Sequence, residues 1–306
     1  MTRSRIARLA LAAGAFALAA AALPHPAHAA LKVVSSIPIL GSLAKEVGGD
    51  RVEVQSLAKG YQDPHFVEAK PSLMLVLNHA DLLLHVGLEL EIGWLPPLVL
   101  GSRNARIQTG ELGNLDCSQS IPVLDVPRTR VDRSMGDIHP QGNPHYWLPP
   151  GNAKIIAGEI AQRLGQIDPE GKPEYDRRLT AFSRRVDAKV KEWQPSIGKL
   201  RGTKVATYHK SWTYMSQWLG LVEVGYVEIK PGIPPDPSHL VQLIATMKRE
   251  EAKLLLMENF YNKTTAQLVA DKSGARLLVL PTDVGASPEA KDWFSLVGLI
   301  LEELTR

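Results

Sequence analysis

The sequence predicts an α/β protein of two lobes, each a parallel-rich sheet flanked by helices, joined by one long helix. Three observations carry this. Short apolar runs alternate with helix-period segments in the first half of the chain, the pattern of βαβ units. A charged stretch then begins at Pro173 and runs without another proline to Trp193, with Leu179, Phe182, Val186 and Val190 spaced at three and four, as on one face of a helix. From Lys204 the strand and helix alternation starts again. Two such blocks joined by a helix imply two lobes with a cleft between them. The expected division is a signal peptide over 1–30, an N-terminal lobe over 31–172, a linking helix over 173–200 and a C-terminal lobe over 201–306.

Residues 31–36 read as a buried strand, 40–47 as a helix ending at Gly48-Gly49, and 51–57 as an alternating strand. A helix over 71–78 and a strand over 82–86 follow. Residues 88–99 read as a helix interrupted by Pro96 and Pro97, with short strands near Ile107 and Val123. The polar stretch 125–142, with Pro127, Gly136, Pro140 and Gly142, is a surface loop. Asn152 should cap a helix through Leu164, since Ile155, Ile156, Ile160 and Leu164 share a face. The long charged helix would span about 30 Å at 1.5 Å per residue. After it come a strand over 204–208, a helix over 211–219, a strand over 222–229 and a helix over 238–250 opened by Asp236-Pro237, with Asp as cap and Pro in the first turn. A strand over 254–257, a helix over 263–273, a strand over 276–280 and a helix over 288–304 complete the chain.

Arg3, Arg5 and Arg8 precede the apolar run 9–23, which is shorter than the ~20 residues of a membrane-spanning helix. Ala27-His28-Ala29 then supplies a small-x-small cleavage site, so the mature chain is expected to begin near Ala30 without a membrane anchor. The full chain has 35 basic and 32 acidic residues; removing three arginines and no acids leaves 32 against 32. That balance, with no basic stripe interleaved with aromatics, argues against nucleic acid as a partner. Cys117 is the single cysteine, which excludes an intrachain disulfide and a thiolate cluster. It lies far from the cleavage site, so no lipidated N-terminal cysteine is expected either.

Two short matching stretches carry the chemistry: Asp63-Pro64-His65-Phe66 and Asn143-Pro144-His145-Tyr146. Proline fixes its own φ and holds the preceding residue extended, so the chain arrives at both histidines stiffly, which suits a metal ligand. His209, after the apolar run 205–208, is a third candidate, and Asp283, after the run 277–280, a fourth. All four are expected at the ends of strands, the rim where open α/β sheets bind ligands. Three imidazoles and one carboxylate suit Zn²⁺, which prefers four N, O or S ligands; Mn²⁺ prefers oxygen donors. Glu258 is an alternative carboxylate or a hydrogen-bond acceptor for a ligand histidine, and His139 an accessory ligand. His85 is expected in the core and His239 on the surface, while Trp147, Trp212, Tyr214 and Trp218 are available to wall the cleft. Binding through imidazoles would weaken as pH falls through about 6.5, the ordinary histidine value.

With these residues in place the chain resembles the metal-binding solute-binding proteins of ABC importers, most closely their zinc-specific members. The resemblance covers essentially the whole mature chain. It rests on Asp63-Pro64-His65 followed by Pro71-Ser72, on Asn143-Pro144-His145-Tyr146-Trp147-Leu148, on His209 before a Tyr- and Trp-bearing helix, on Glu258 in Met257-Glu258-Asn259-Phe260, and on Val279-Leu280-Pro281-Thr282-Asp283. It implies His65, His145, His209 and Asp283 as metal ligands, two from each lobe. It also implies a monomeric periplasmic protein that delivers Zn²⁺ to an importer permease driven by a cytoplasmic ATPase. Two departures stand out: the loop before the second motif holds only Asp132, Asp137 and His139 where many zinc members are rich in His and acids, and Pro281-Thr282 precedes Asp283 where members usually read Leu-Asp-Pro. Two rival readings are an exported zinc hydrolase, with Glu258 as base, and an adhesin whose metal is structural. No His-Glu-x-x-His or nucleophile-elbow motif supports the hydrolase.

Overall fold

The computed structural model describes residues 29–129, 139–228 and 232–306. All but the last two residues of the expected signal segment, and Asp132 and Asp137, lie outside these. Within the described residues the chain forms two parallel four-stranded sheets.

The first sheet has the order β2-β1-β3-β4, built from β1 (Leu31–Ser35), β2 (Val52–Ser56), β3 (Leu82–His85) and β4 (Asn114–Asp116). Helices α1 (Pro38–Gly48), α2 (Pro71–Asn78) and α3 (Leu95–Gly101) connect or follow these strands. Helix α4 (Pro150–Ile167) packs on α1, and the long α5 (Lys172–Leu200) packs on both. The second sheet repeats the topology as β6-β5-β7-β8, from β5 (Lys204–Thr207), β6 (Val222–Tyr226), β7 (Leu254–Glu258) and β8 (Arg276–Leu280). Its helices are α6 (Thr213–Leu219), α7 (Pro237–Arg249), α8 (Lys263–Ser273) and α9 (Trp293–Thr305). In both sheets the order reverses beside the first strand, placing crevices at the ends of β1 and β5, where this topology accepts ligands. Central strands covered on both faces should read as unbroken apolar runs, and they do: Leu82, Leu83 and Leu84 are fully inaccessible, and all of β7 is buried.

Helix α5 is polar over most of its surface but buries Tyr175, Phe182, Val186, Trp193, Ile197 and Leu200. Phe182 and Trp193 meet Trp293 of α9 with ring centroids 6.3 and 6.1 Å apart. The last helix of the chain is thereby fastened to the connector between the sheets. At 29 residues α5 spans about 43 Å, longer than expected from a stop near Trp193. Pro195 lies inside it and forfeits one intrahelical hydrogen bond, and the burial of Ile197 and Leu200 beyond it offsets that loss.

Other elements differ from expectation for physical reasons. Pro96 and Pro97 open α3 rather than interrupt a helix, because the first helical turn does not need their missing N–H. Ile107 lies in a single 3-10 turn and no strand forms at Val123; the edge strand is β4. Pro149 and Pro150 start α4, and Asn152, inside the first turn, donates Nδ2 to the Tyr146 carbonyl at 2.9 Å. The final helix begins at Trp293, where Asp292 and Ser295 form a capping box. Among the described residues no helix is long and apolar enough to cross a membrane. Cys117 is fully buried and burial raises its thiol well above the usual range, so it is inert core.

Candidate metal centre

His65 lies between β2 and α2, in a loop held by the Trp94 indole, whose Nε1 donates to the Pro64 carbonyl at 2.9 Å. Asp63 accepts twice through Oδ1, from the His65 backbone N–H at 3.0 Å and from ring Nδ1 at 2.7 Å. One short side chain therefore sets both the turn and the ring. The second motif repeats the device: Asn143 Oδ1 accepts from the His145 backbone at 3.0 Å and from its Nδ1 at 2.9 Å. The amide of Asn143 also donates to the Lys210 carbonyl at 2.8 Å, linking this segment to the chain just beyond His209. His209 follows β5 by two residues, and its Nδ1 faces Glu228 Oε2 at 3.3 Å.

These three histidines come together. Their ring centroids are separated by 5.2 Å for His65 and His145, 5.3 Å for His65 and His209, and 5.0 Å for His145 and His209. One ligand atom from each lies within 4.8 Å of the other two, and all three residues are buried. Atoms so placed are at most about 2.8 Å from a shared centre, so contraction by less than about 1 Å reaches the Zn–N distance. In each ring Nδ1 is engaged by Asp63, Asn143 or Glu228, which leaves Nε2 for a metal; His65 Nε2 is buried with no hydrogen-bond partner among the described residues.

Electrostatics favour the metal-ready form. Burial, reinforced by the neighbouring His209, His65 and His139, holds the His145 imidazole well below its ordinary value. Burial likewise lowers His209, against the opposing pull of Glu228. Both are therefore kept as neutral imidazole, the species that ligates. This displaces proton competition at these two rings below the ordinary value of about 6.5 expected from sequence. Burial alone would raise the Asp63 carboxyl, but its bonds to His65 outweigh that and hold it below the usual range.

Of the remaining candidates, His139 adjoins this trio, while Glu258 and Asp283 are not part of it. The His139 ring is 5.4 Å from that of His65 and 6.1 Å from that of His145, and its buried Nε2 has no hydrogen-bond partner among the described residues. Glu258 is almost fully buried, with Oε1 against the Ser211 hydroxyl, and burial lifts its carboxyl well above the usual range. Asp283 is buried too, but its Oδ1 accepts the backbone N–H groups of Ile39 and Val284, both at 2.7 Å, and it is not in the group that could share an ion. Nor do all the candidates end strands: His145 sits in the extended segment leading into α4, and His65 lies nine residues beyond β2. Glu228 was not anticipated; its only signal was an acid at the end of the strand-like run 222–229, on the same rim as His209. Trp147 walls the site, 5.6 Å from the His145 ring, whereas Trp212 and Tyr214 are buried core. His85 and His239 are both half-buried, bonded to Asn114 and the Tyr226 carbonyl.

The family described as ZnuA, zinc-uptake complex component A periplasmic, matches residues 33–306. The chain belongs to this family. Among its relatives, the manganese ABC transporter substrate-binding lipoprotein PsaA of Streptococcus pneumoniae is 25% identical over 282 residues, covering 90% of this chain and 87% of that protein. The iron ABC transporter substrate-binding lipoprotein MtsA of Streptococcus pyogenes serotype M1 is 25% identical over 249 residues, covering 80% and 77%. A crystal structure of ZnuA matches with a TM-score of 0.76 at 26% identity, covering 90% of this chain and 98% of that one. This member of the ZnuA family is a substrate-binding protein of the metal ABC transporter class, and its relatives are transport proteins rather than enzymes.

Proposed function

We propose that the protein captures Zn²⁺ in the periplasm through His65, His145 and His209 and delivers it to the permease of an ABC importer powered by a cytoplasmic ATPase. The observation that carries this is the convergence of three buried imidazoles, each with Nδ1 engaged and Nε2 left for the ion. Nitrogen donors favour Zn²⁺ over Mn²⁺, which suits carboxylates and water. Relatives are named for manganese and for iron, so the zinc reading is supported by the nitrogen donor set of this chain. The basic, apolar and small-x-small order of residues 3–29 supports export with cleavage.

After treatment with a chelator, zinc at a hundredfold excess over Kd should add about 2.7 kcal/mol of stability, raising the melting temperature by roughly 5–10 °C for a chain of this size. A melting curve indifferent to zinc would sink the proposal. Metal choice has its own test. His209→Glu replaces one nitrogen donor by oxygen and sets a second carboxylate beside Glu228, so competition between the two ions should move toward Mn²⁺. An unchanged preference would show that His209 does not set selectivity.

A further inference from the structure

We infer that Asp283 is a positioning residue rather than a metal ligand: it clasps the second lobe to the start of α1 and so holds both histidine-bearing loops of the first lobe. The inference rests on the three-histidine site proposed above. Helix α1 begins with no side-chain cap of its own, since Ile37 is at the N-cap and Pro38 follows. A helix start left without partners for its N–H groups needs an acceptor from elsewhere. Asp283, 244 positions away in sequence, provides it by accepting from Ile39 N–H at 2.7 Å while the same oxygen holds its own loop through Val284 N–H.

The loop that Asp283 organises grips both histidine segments. Gly60, five residues before His65, lies so close to the backbone of Val284, Gly285 and Ala286 that a Cβ there would collide with main-chain atoms on the loop. Two residues after His145, the Trp147 indole donates to the Thr282 carbonyl at 2.8 Å. On the far side, Asn259 Nδ2 donates to the Ala286 carbonyl at 3.1 Å, anchoring the loop next to the end of β7. The run from Thr282 to Ala286 thus touches the approach to His65, the exit from His145 and the rim of the second sheet. Asp283 Oδ1 is shared between two backbone donors, and among the described residues Asp283 lies outside the group whose ligand atoms converge on one point.

The test uses purified protein carrying Asp283→Ala, Asp283→Asn or Gly60→Ala, with zinc affinity, zinc K-edge absorption and metal-free melting as readouts. Asp283→Ala should lower the metal-free melting temperature and weaken zinc binding about tenfold, the scale of losing an orienting partner, while the nitrogen shell around zinc stays as in the parent. Asp283→Asn keeps an oxygen that can accept from Ile39 and should recover most of both losses. Gly60→Ala should reproduce the Asp283→Ala phenotype from the opposite side of the clasp. If Asp283→Asn binds as poorly as Asp283→Ala and an oxygen scatterer disappears from the zinc shell, Asp283 is a ligand and the inference is overturned. Unchanged metal-free melting in both Asp283→Ala and Gly60→Ala would overturn it as well. Should the parent take up no zinc, the transport reading fails alone, because metal-free melting still reports on the clasp.

Discussion

His145→Ala should weaken zinc binding by roughly two to four orders of magnitude. Apparent binding free energies of closed zinc sites are about 10–16 kcal/mol, so one of three protein ligands is worth roughly 3–5 kcal/mol, and each 1.4 kcal/mol is tenfold. His145 is a sharp choice because its ring is buried and lies 5.2 Å from that of His65 and 5.0 Å from that of His209. Its local backbone would survive the change, since Asn143 Oδ1 still accepts the residue-145 N–H and Tyr214 still donates to the Asn143 carbonyl at 2.8 Å. A metal-free melting curve close to the parent's, beside lost affinity in a chelator competition, separates a missing ligand from a damaged fold. Affinity within tenfold of the parent would remove His145 from the site.

How far the site can be read from sequence follows from the range of the interactions that build it. The Asp-Pro-His and Asn-Pro-His motifs are legible because each carries its own instructions: the acceptor stands two residues before the ring it orients, and proline stiffens the link. The strand and helix alternation is legible for the same reason, since apolar runs such as Leu82 to Leu84 and the face of α5 are periodic in sequence. Long-range pairings are not. Nothing near Glu228 announces that it will face His209 nineteen residues earlier, and nothing near Asp283 announces Ile39. Pro195 misleads in the opposite sense, because its local cost is plain in sequence while the burial of Ile197 and Leu200 that outweighs it depends on packing.

Proton competition with zinc at His145 and His209 should be absent from about pH 7.5 to about 6, while the metal-free protein loses stability over the same range, and the two trends share one cause. Burial keeps His145 and His209 neutral and holds His139 down to about 3, so the folded protein does not take up protons there as the ordinary value of about 6.5 is crossed. Protons therefore do not compete with zinc at those rings, which stay available as neutral imidazole through this range. In the unfolded chain the same imidazoles are ordinary and do protonate. The unfolded state then binds more protons than the folded one, so stability is full above about 6.5 and declines as pH falls toward the folded-state values, by about 1.4 kcal/mol per pH unit for each such imidazole. At roughly 2–4 °C per kcal/mol, melting of the metal-free protein between pH 7.5 and 5.5 resolves the effect. Isothermal titration with zinc across that range supplies the other half. Metal-free melting that holds level between pH 7.5 and 5.5 would mean that His145, His209 and His139 take up protons in the folded protein and that the site is wetter than its geometry indicates.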